Sequence, residues 1–165
     1  MSLSRRLVSR RFVAPVQAGA QFLVALFLSA AVPSTVIGEV KRILLTGPTR
    51  VVAVEKDGEA SLKITAESRE KTVFTVTGTG RVYEYQLRLS ATYELTVLGR
   101  DEPVIAPTEV VATRLITYNE SAPTAKDAEE QLLYKDMQAD IATRILRQVA
   151  VARRESPTAF TPQPR

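Results

Sequence analysis

Glu129 and Glu130 are the two side chains in this sequence that come closest to an acid–base couple. Adjacent residues on a helix point in different directions, so these carboxylates would not face one substrate atom. The chain contains neither histidine nor cysteine, which excludes thiol nucleophiles, disulfides, histidine general bases and histidine metal sites. We therefore expect a protein that is not an enzyme and that holds no metal and no cofactor.

A second set of polar residues lies on one segment, Tyr83–Val97, which reads YEYQLRLSATYELTV. Its odd-numbered positions are apolar or aromatic and its even-numbered positions are polar. This two-residue period indicates a strand with one buried face. Glu84, Arg88 and Glu94 share the polar face, and their arrangement favours cross-strand pairing over acid–base chemistry.

Tyr83, Tyr85 and Tyr93 lie on the apolar face of the same segment. Three aromatic rings on one face could form a platform for nucleic-acid bases. We expect all three to be buried instead, because an apolar strand face has to be covered by another element. The pattern therefore favours core packing.

A long helix near the C-terminus is the predicted cover. Its apolar residues recur at three- and four-residue spacings, as in the buried stripe of an amphipathic helix. They are Leu132, Leu133, Met137, Ile141, Ala142, Ile145, Leu146 and Val149. Thr124 and Asp127 have the spacing of a capping box, and Glu129 and Glu130 continue an acidic first turn. The prediction is a helix of about 28 residues and about 40 Å.

The other predicted elements are shorter. A helix begins at Ser34, whose hydroxyl would cap it, and ends near Leu45. Strands are predicted over residues 49–54, 60–77 and 109–118, with turns at 77–80 and 99–103. The three longest strands would form an antiparallel meander. Charges interrupt the alternation at Glu67–Lys71, and we expect a bulge or bend near these residues.

The ends of the chain differ in composition from its middle. Phe22–Val32 follows several arginines, a layout that fits a secretory signal, and its composition fits a buried strand as well; both alternatives stay open. Residues 1–21 are expected to be poorly ordered or part of a signal. Residues 22–152 would form the folded domain, and the proline-rich residues 153–165 a disordered tail.

Three blocks of this sequence resemble the LptE (RlpB) family, the lipopolysaccharide-assembly lipoproteins of Gram-negative outer membranes. The blocks are GRVYEYQLR (80–88), TRLITYNES (113–121) and AKDAEEQLLYKDMQADIATRILRQV (125–149), and ESREK (67–71) also stands in its usual place. The resemblance covers residues 26–152. It implies an α+β fold, a two-layer sandwich in which two helices cover one face of a mainly antiparallel four-stranded sheet.

The resemblance also implies a function without catalysis. Members of the family sit as a plug inside the β-barrel protein LptD, on the periplasmic side of the outer membrane. There they stabilise the barrel and bind lipopolysaccharide on its way to the cell surface. The family is anchored through a lipid on a cysteine, and this sequence has no cysteine to carry that anchor.

Two basic residues are the candidates for lipopolysaccharide binding that the resemblance implies. Lys126 matches the basic position in the family's Ala-Lys block, and we expect an exposed lysine at the start of the long helix. Arg81 follows the 77–80 turn, and its match is looser because the family's basic residue lies at Gly78 or Thr79. For both residues the alternative is a solvated surface charge.

Two other functions fit the sequence without the resemblance. The net charge of +4 favours an anionic partner, so a small basic α+β domain could bind nucleic acid. Affinity that falls steeply with salt would mark that function. The second alternative is a periplasmic scaffold with no lipid ligand, which co-purification with an outer-membrane barrel would contradict. With the resemblance, we expect LptD and lipopolysaccharide as partners and no nucleic acid.

Overall fold

Two helices lie on one face of a mainly antiparallel sheet. The computed structural model describes residues 25–118 and 123–155. Its elements are β1 (Ala25–Ala30), α1 (Thr35–Leu45), β2 (Arg50–Val52), β3 (Ala60–Val76), β4 (Val82–Val97), β5 (Ile105–Thr117) and α2 (Pro123–Glu155). The strand order is β2-β1-β3-β4-β5, in which β1 is parallel to both neighbours and the three long strands are antiparallel. The predicted α+β class is confirmed.

The sheet has five strands, one more than the four that we expected. Leu26 of β1 is buried, and β1 pairs with β3 from Leu26 to Ala30. The strand interpretation therefore holds for these residues of the Phe22–Val32 segment, while residues 1–24 lie outside the described chain. The three residues of β2 add the fifth strand beside β1.

Helix α1 begins where the sequence predicted it. The Ser34 hydroxyl accepts the N–H of Ile37 at 3.1 Å and so caps the first turn. Val36, Val40 and Leu44 are buried, as their four-residue spacing requires.

Strand β4 is the centre of the core. Its odd-numbered residues from Leu87 to Val97 are buried, which confirms the predicted alternation for that part of the strand. Tyr93 is buried, and its hydroxyl donates a hydrogen bond to the Gln148 side chain on α2. Tyr85 is half-buried and Tyr83 is half exposed, so the prediction that all three tyrosines are buried is wrong for Tyr83.

Helix α2 covers β4 and β5 with a stripe that includes Tyr134, Met137, Ile141 and Ile145, all buried. It is longer than predicted, at 33 residues. Because the helix already begins at Pro123, Thr124 lies inside it, and the first turn contains no acidic residue. The predicted capping box is therefore wrong. The helix continues to Glu155, so residues 153–155 of the predicted tail are helical, and residues 156–165 lie outside the described chain.

Strand β3 contains the irregularity that organises one end of the domain. Its pairing with β4 shifts between Ile64 and Ala66, which leaves Thr65 as an extra residue. An extra residue of this kind sends every later side chain to the opposite face of the sheet. We predicted a bulge or bend near Glu67–Lys71, and the bulge lies two residues before Glu67, with regular pairing from Ala66 to Val73.

Candidate functional site

The bulge places three charged side chains of β3 on the helix-covered face of the sheet. Glu67, Arg69 and Lys71, the charged row, follow one another at every second position. In the ladder they stand opposite the buried residues Ala91, Leu89 and Leu87 of β4. Charges on a covered face are costly unless each has a partner, so the helices have to supply those partners.

Glu67 finds its partners at the start of α1. Its carboxylate accepts hydrogen bonds from the hydroxyls of Ser34 and Thr35, both at 2.6 Å, and from the N–H of Val36 at 3.2 Å. Burial alone would raise the pKa of Glu67, but these hydrogen bonds outweigh it and the pKa is lowered. A carboxylate at a helix N-terminus also meets the positive end of the helix dipole. Glu67 therefore ties α1 to the sheet.

Arg69 and Lys71 contact the first half of α2. The Lys71 ammonium lies 2.6 Å from a carboxylate oxygen of Glu130, and this hydrogen bond raises the pKa of Lys71. The same ammonium lies 4.7 Å from the centre of the Tyr85 ring. The Arg69 guanidinium lies 5.3 Å from the centre of the Tyr134 ring. The Arg69–Tyr134 contact and the Lys71–Glu130 ion pair hold α2 against β3, and the Lys71–Tyr85 contact joins β3 to β4.

Beyond the charged row, the β3–β4 hairpin continues past the core. We call residues 72–86 the distal hairpin, and none of them is buried. Four of its large apolar side chains are between 50% and 56% exposed, namely Val73, Phe74, Val76 and Tyr83. Exposed apolar groups collected at one end of a domain are typical of an interaction surface.

Lys126 lies near the start of α2. It precedes Glu130 by four residues and so shares the helix face that contacts the charged row. Its ammonium lies 2.7 Å from a carboxylate oxygen of Glu129, and its side chain is only 25% exposed. Our expectation of an exposed lysine is therefore wrong, whereas its role in lipopolysaccharide binding stays a prediction.

Arg81 lies at the tip of the distal hairpin. Its carbonyl accepts the N–H of Thr77 at 2.7 Å, which closes the predicted hairpin turn. Gly80 has a φ of +78°, a conformation that glycine adopts at no steric cost. The five residues of β3 from Lys71 to the turn span about 16 Å, so Arg81 and Lys126 lie at the same end of the domain but well apart.

The carboxylates of the sheet pair with neighbours, as predicted. Their cross-strand partners are Thr75 for Glu84 (2.9 Å), Lys63 for Glu94 (3.3 Å) and Arg88 for Glu109 (3.5 Å). Glu129 and Glu130 contact different lysines, which confirms that they point in different directions. Within residues 25–118 and 123–155, no group of three acidic side chains is arranged to hold a metal ion.

The charged row is the part of this end of the domain that the sequence analysis missed. We treated Glu67–Lys71 as an interruption of the strand pattern. All five residues of this run are polar or charged, so the run carries no alternation that shows which of them face the helices.

Comparisons with known proteins agree with this fold. A family model described as LptE, lipopolysaccharide-assembly, matches residues 23–149. The solution structure of an uncharacterized lipoprotein B from Nitrosomonas europaea is similar at 30% identity with a TM-score of 0.69, covering 77% of this chain and 82% of that one. The crystal structure of the rare lipoprotein B from Shewanella oneidensis shares 24% identity with a TM-score of 0.69, covering 79% and 97%.

Two further observations complete the comparison. No protein with a curated description matches the chain. Neither helix in the described part of the chain combines the length and the apolar character that crossing a membrane requires. Since the family model spans most of the sequence, the chain belongs to the LptE family of lipopolysaccharide-assembly proteins.

Proposed function

We propose that this protein is a non-enzymatic part of the outer-membrane lipopolysaccharide translocon. It would plug and stabilise the LptD barrel from the periplasmic side and bind lipopolysaccharide during assembly at the cell surface. Membership of the LptE family supports this role. The sequence has no histidine and no cysteine, so a partner-binding function fits its chemistry better than catalysis does.

One observation carries the lipopolysaccharide part of the proposal. The distal hairpin exposes apolar side chains and has Arg81 at its tip, and Lys126 lies on α2 one turn before Glu130, which binds Lys71 at the base of the hairpin. Lipopolysaccharide is an amphiphile that carries phosphates beside acyl chains. Ammonium and guanidinium groups bind phosphate through charge-assisted hydrogen bonds, and exposed apolar groups can contact acyl chains. This end of the domain matches both halves of such a ligand.

The plug part of the proposal rests on the other face of the sheet. Neither helix lies on that face, and its residues on β4 are polar, from Glu84 to Thr96 at every second position. The lumen of a wide outer-membrane barrel is polar as well. A domain that buries its apolar residues between sheet and helices, and turns a polar sheet outward, is suited to such a lumen.

The lipopolysaccharide contact is tested by reversing the charge of Lys126. Purified lipopolysaccharide would be passed over the immobilised protein, and we expect Lys126→Asp to retain about tenfold less, the effect of losing one charge-assisted contact. Lys135→Asp is the matched control, because Lys135 is an exposed lysine on the same helix. Arg81→Asp is the second variant, with a smaller expected loss because its match to the family is looser.

Folding has to be checked in the same experiment. Lys126→Asp brings a second carboxylate near Glu129, which we expect to cost about 1 kcal/mol at most, so thermal unfolding should stay cooperative. Equal retention by Lys126→Asp and Lys135→Asp would reject Lys126 as a contact. If wild-type protein fails to retain lipopolysaccharide, the ligand itself is wrong. If it fails to co-purify with the barrel from outer-membrane extracts, the plug role is wrong.

A further inference from the structure

Strand β5 forms one edge of the sheet, and along residues 111–117 the first half of that edge is closed while the second half is open. Within the described residues, nothing pairs with its outer side. The Tyr118 N–H donates to Tyr83 of β4, so even-numbered residues of this region direct their backbone groups inward. The backbone groups of successive residues alternate between the two sides of a strand. Val111, Thr113, Leu115 and Thr117 therefore direct their N–H and C=O groups outward.

Two arginines close the first half of this edge. Arg144 of α2 donates to the Val111 carbonyl at 3.2 Å, and Arg114 reaches around the strand to the Thr113 carbonyl at 2.9 Å. Both guanidinium groups are held by carboxylates of α2: Asp140 lies 2.9 Å from Arg144, and Asp136 lies 2.9 Å from Arg114. Proteins often use fixed charges of this kind to keep an edge strand from pairing.

The second half has no such protection among the described residues. We call the backbone of residues 115–117 the open edge. Leu115 is 49% exposed on the uncovered face of the sheet. On the helix side, Leu132 is 67% exposed and stands one turn before Asp136, on the flank of α2 that faces β5. The open edge thus has an exposed leucine on each side.

We propose that the open edge receives an extended polypeptide segment as an added strand. The outward donors and acceptors repeat at strand spacing, a pattern that another backbone matches and that a sugar or an acyl chain does not. Consecutive side chains of the added strand would point to opposite faces, one towards Leu115 and the next towards Leu132. The segment should therefore carry apolar residues at adjacent positions.

The segment belongs to the barrel protein, and in this respect the inference rests on the proposed function. An edge-to-edge pair of two copies is the alternative occupant, but residues 115 and 117 would give each copy few hydrogen bonds. Such a contact is smaller than the roughly 1,200 Å² that a stable interface usually buries. A segment of a partner that already surrounds the domain needs no large contact of its own, because its effective concentration is high.

The test uses the tagged full-length chain co-expressed with the barrel protein and measures the barrel that it retains. Leu115→Pro removes an outward N–H without removing a bond to β4, and we expect retention to fall about tenfold. Val111→Pro makes the same change in the closed half and should retain the barrel as the wild type does. Leu132→Arg and Leu115→Arg are second variants for the case that proline unfolds the strand, since charges on exposed positions hinder strand addition.

A crosslink locates the partner. Because the chain has no cysteine, Thr117→Cys would carry its only thiol, to which a photoactivatable group can be attached. A crosslink to a segment of the barrel supports the inference. If Leu115→Pro and Val111→Pro retain the barrel equally and no such crosslink forms, the inference is overturned. The proposed function is not affected by that result. A crosslinked pair of copies formed without the barrel also overturns it. A wild-type chain that retains no barrel contradicts the proposed function itself.

Discussion

The body of the domain and the distal hairpin are built from the same two strands, but they differ in what covers them. In the body, the helix-facing side of β4 is apolar and buried, as at Leu89 and Tyr93. In the distal hairpin, the same side runs out past α2, and Val73 and Tyr83 are half exposed. The comparison indicates that the apolar core lies in the body and that the hairpin contributes little to it.

The charged row marks the boundary between these two regions. Each of its three charges contacts a helix, so the row fixes both helices and ends the apolar core at the same place. If β3 were apolar at the positions of the charged row, more of the hairpin would have to be covered. The bulge at Thr65 makes this boundary possible, because it turns the charges inward.

Truncating one apolar side chain in each region should give the largest difference in unfolding free energy. Leu89→Ala should lower the free energy of unfolding by about 3 kcal/mol, because it removes a fully buried side chain and leaves a cavity. Phe74→Ala in the distal hairpin should change it by about 0.5 kcal/mol or less, because more than half of that side chain is exposed. Urea unfolding followed by circular dichroism measures both. Equal losses would mean that the hairpin belongs to the core.

Removing a charge of the boundary should cost less than a core truncation. Glu67→Ala leaves the hydrogen-bond donors at the start of α1 without their acceptor, and we expect a loss of about 1 to 2 kcal/mol in urea unfolding. Glu70→Ala is the matched control, since Glu70 is an exposed glutamate three positions further along the same strand, on its opposite face. A loss no larger than that of the control would show that Glu67 does not hold α1.

The body could be predicted from the sequence because its patterns are regular. The alternation of β4 from Leu87 to Val97, the cap at Ser34 and the stripe of α2 apart from Leu132 each follow from local spacing, and the structure confirms them. The boundary at the charged row could not be predicted in the same way. The exact position of the one-residue bulge depends on the partners that the charged side chains meet in the folded protein. Tyr83 was misassigned for a related reason: a pattern shows which face a side chain joins, but not how far along the strand the cover extends.

The candidate site was even less accessible to sequence reasoning. Lys126 and Arg81 came from the family resemblance, and the pairing of Lys126 with Glu129 was not anticipated. The two leucines beside the open edge lie on different elements. Leu132 fitted the predicted core stripe, but the structure exposes it, because it lies one turn before Asp136 on the flank of α2 beside the sheet edge and not above the sheet.

Glu67 also gives a smaller expected effect, which depends on pH. The pKa of Glu67 in the folded protein lies below its ordinary value of 4.5. Its ionised form therefore contributes stability that is fully present above that value and is lost as the pH falls through the lower, folded-state pKa. The difference in unfolding free energy between wild type and Glu67→Gln should be constant near neutral pH and shrink below pH 4.5. Other carboxylates titrate in both proteins, so their contributions cancel in the difference. A difference that grows on acidification would contradict the assignment.

The smallest expected effect compares an ion pair at the boundary with one on the uncovered sheet face. A double-mutant cycle of Lys71→Gln and Glu130→Gln should give a coupling of about 0.5 to 1 kcal/mol, because the ammonium also lies over the Tyr85 ring. The cycle for Lys63 and Glu94, which are 3.3 Å apart on the uncovered face, should give less. Both are measured by urea unfolding at low and high salt, and salt should weaken the Lys63 pair more, because its side chains are more exposed. Equal couplings with equal salt dependence would show that the charged row consists of ordinary surface ion pairs. The boundary between body and hairpin would then depend on other contacts of α2.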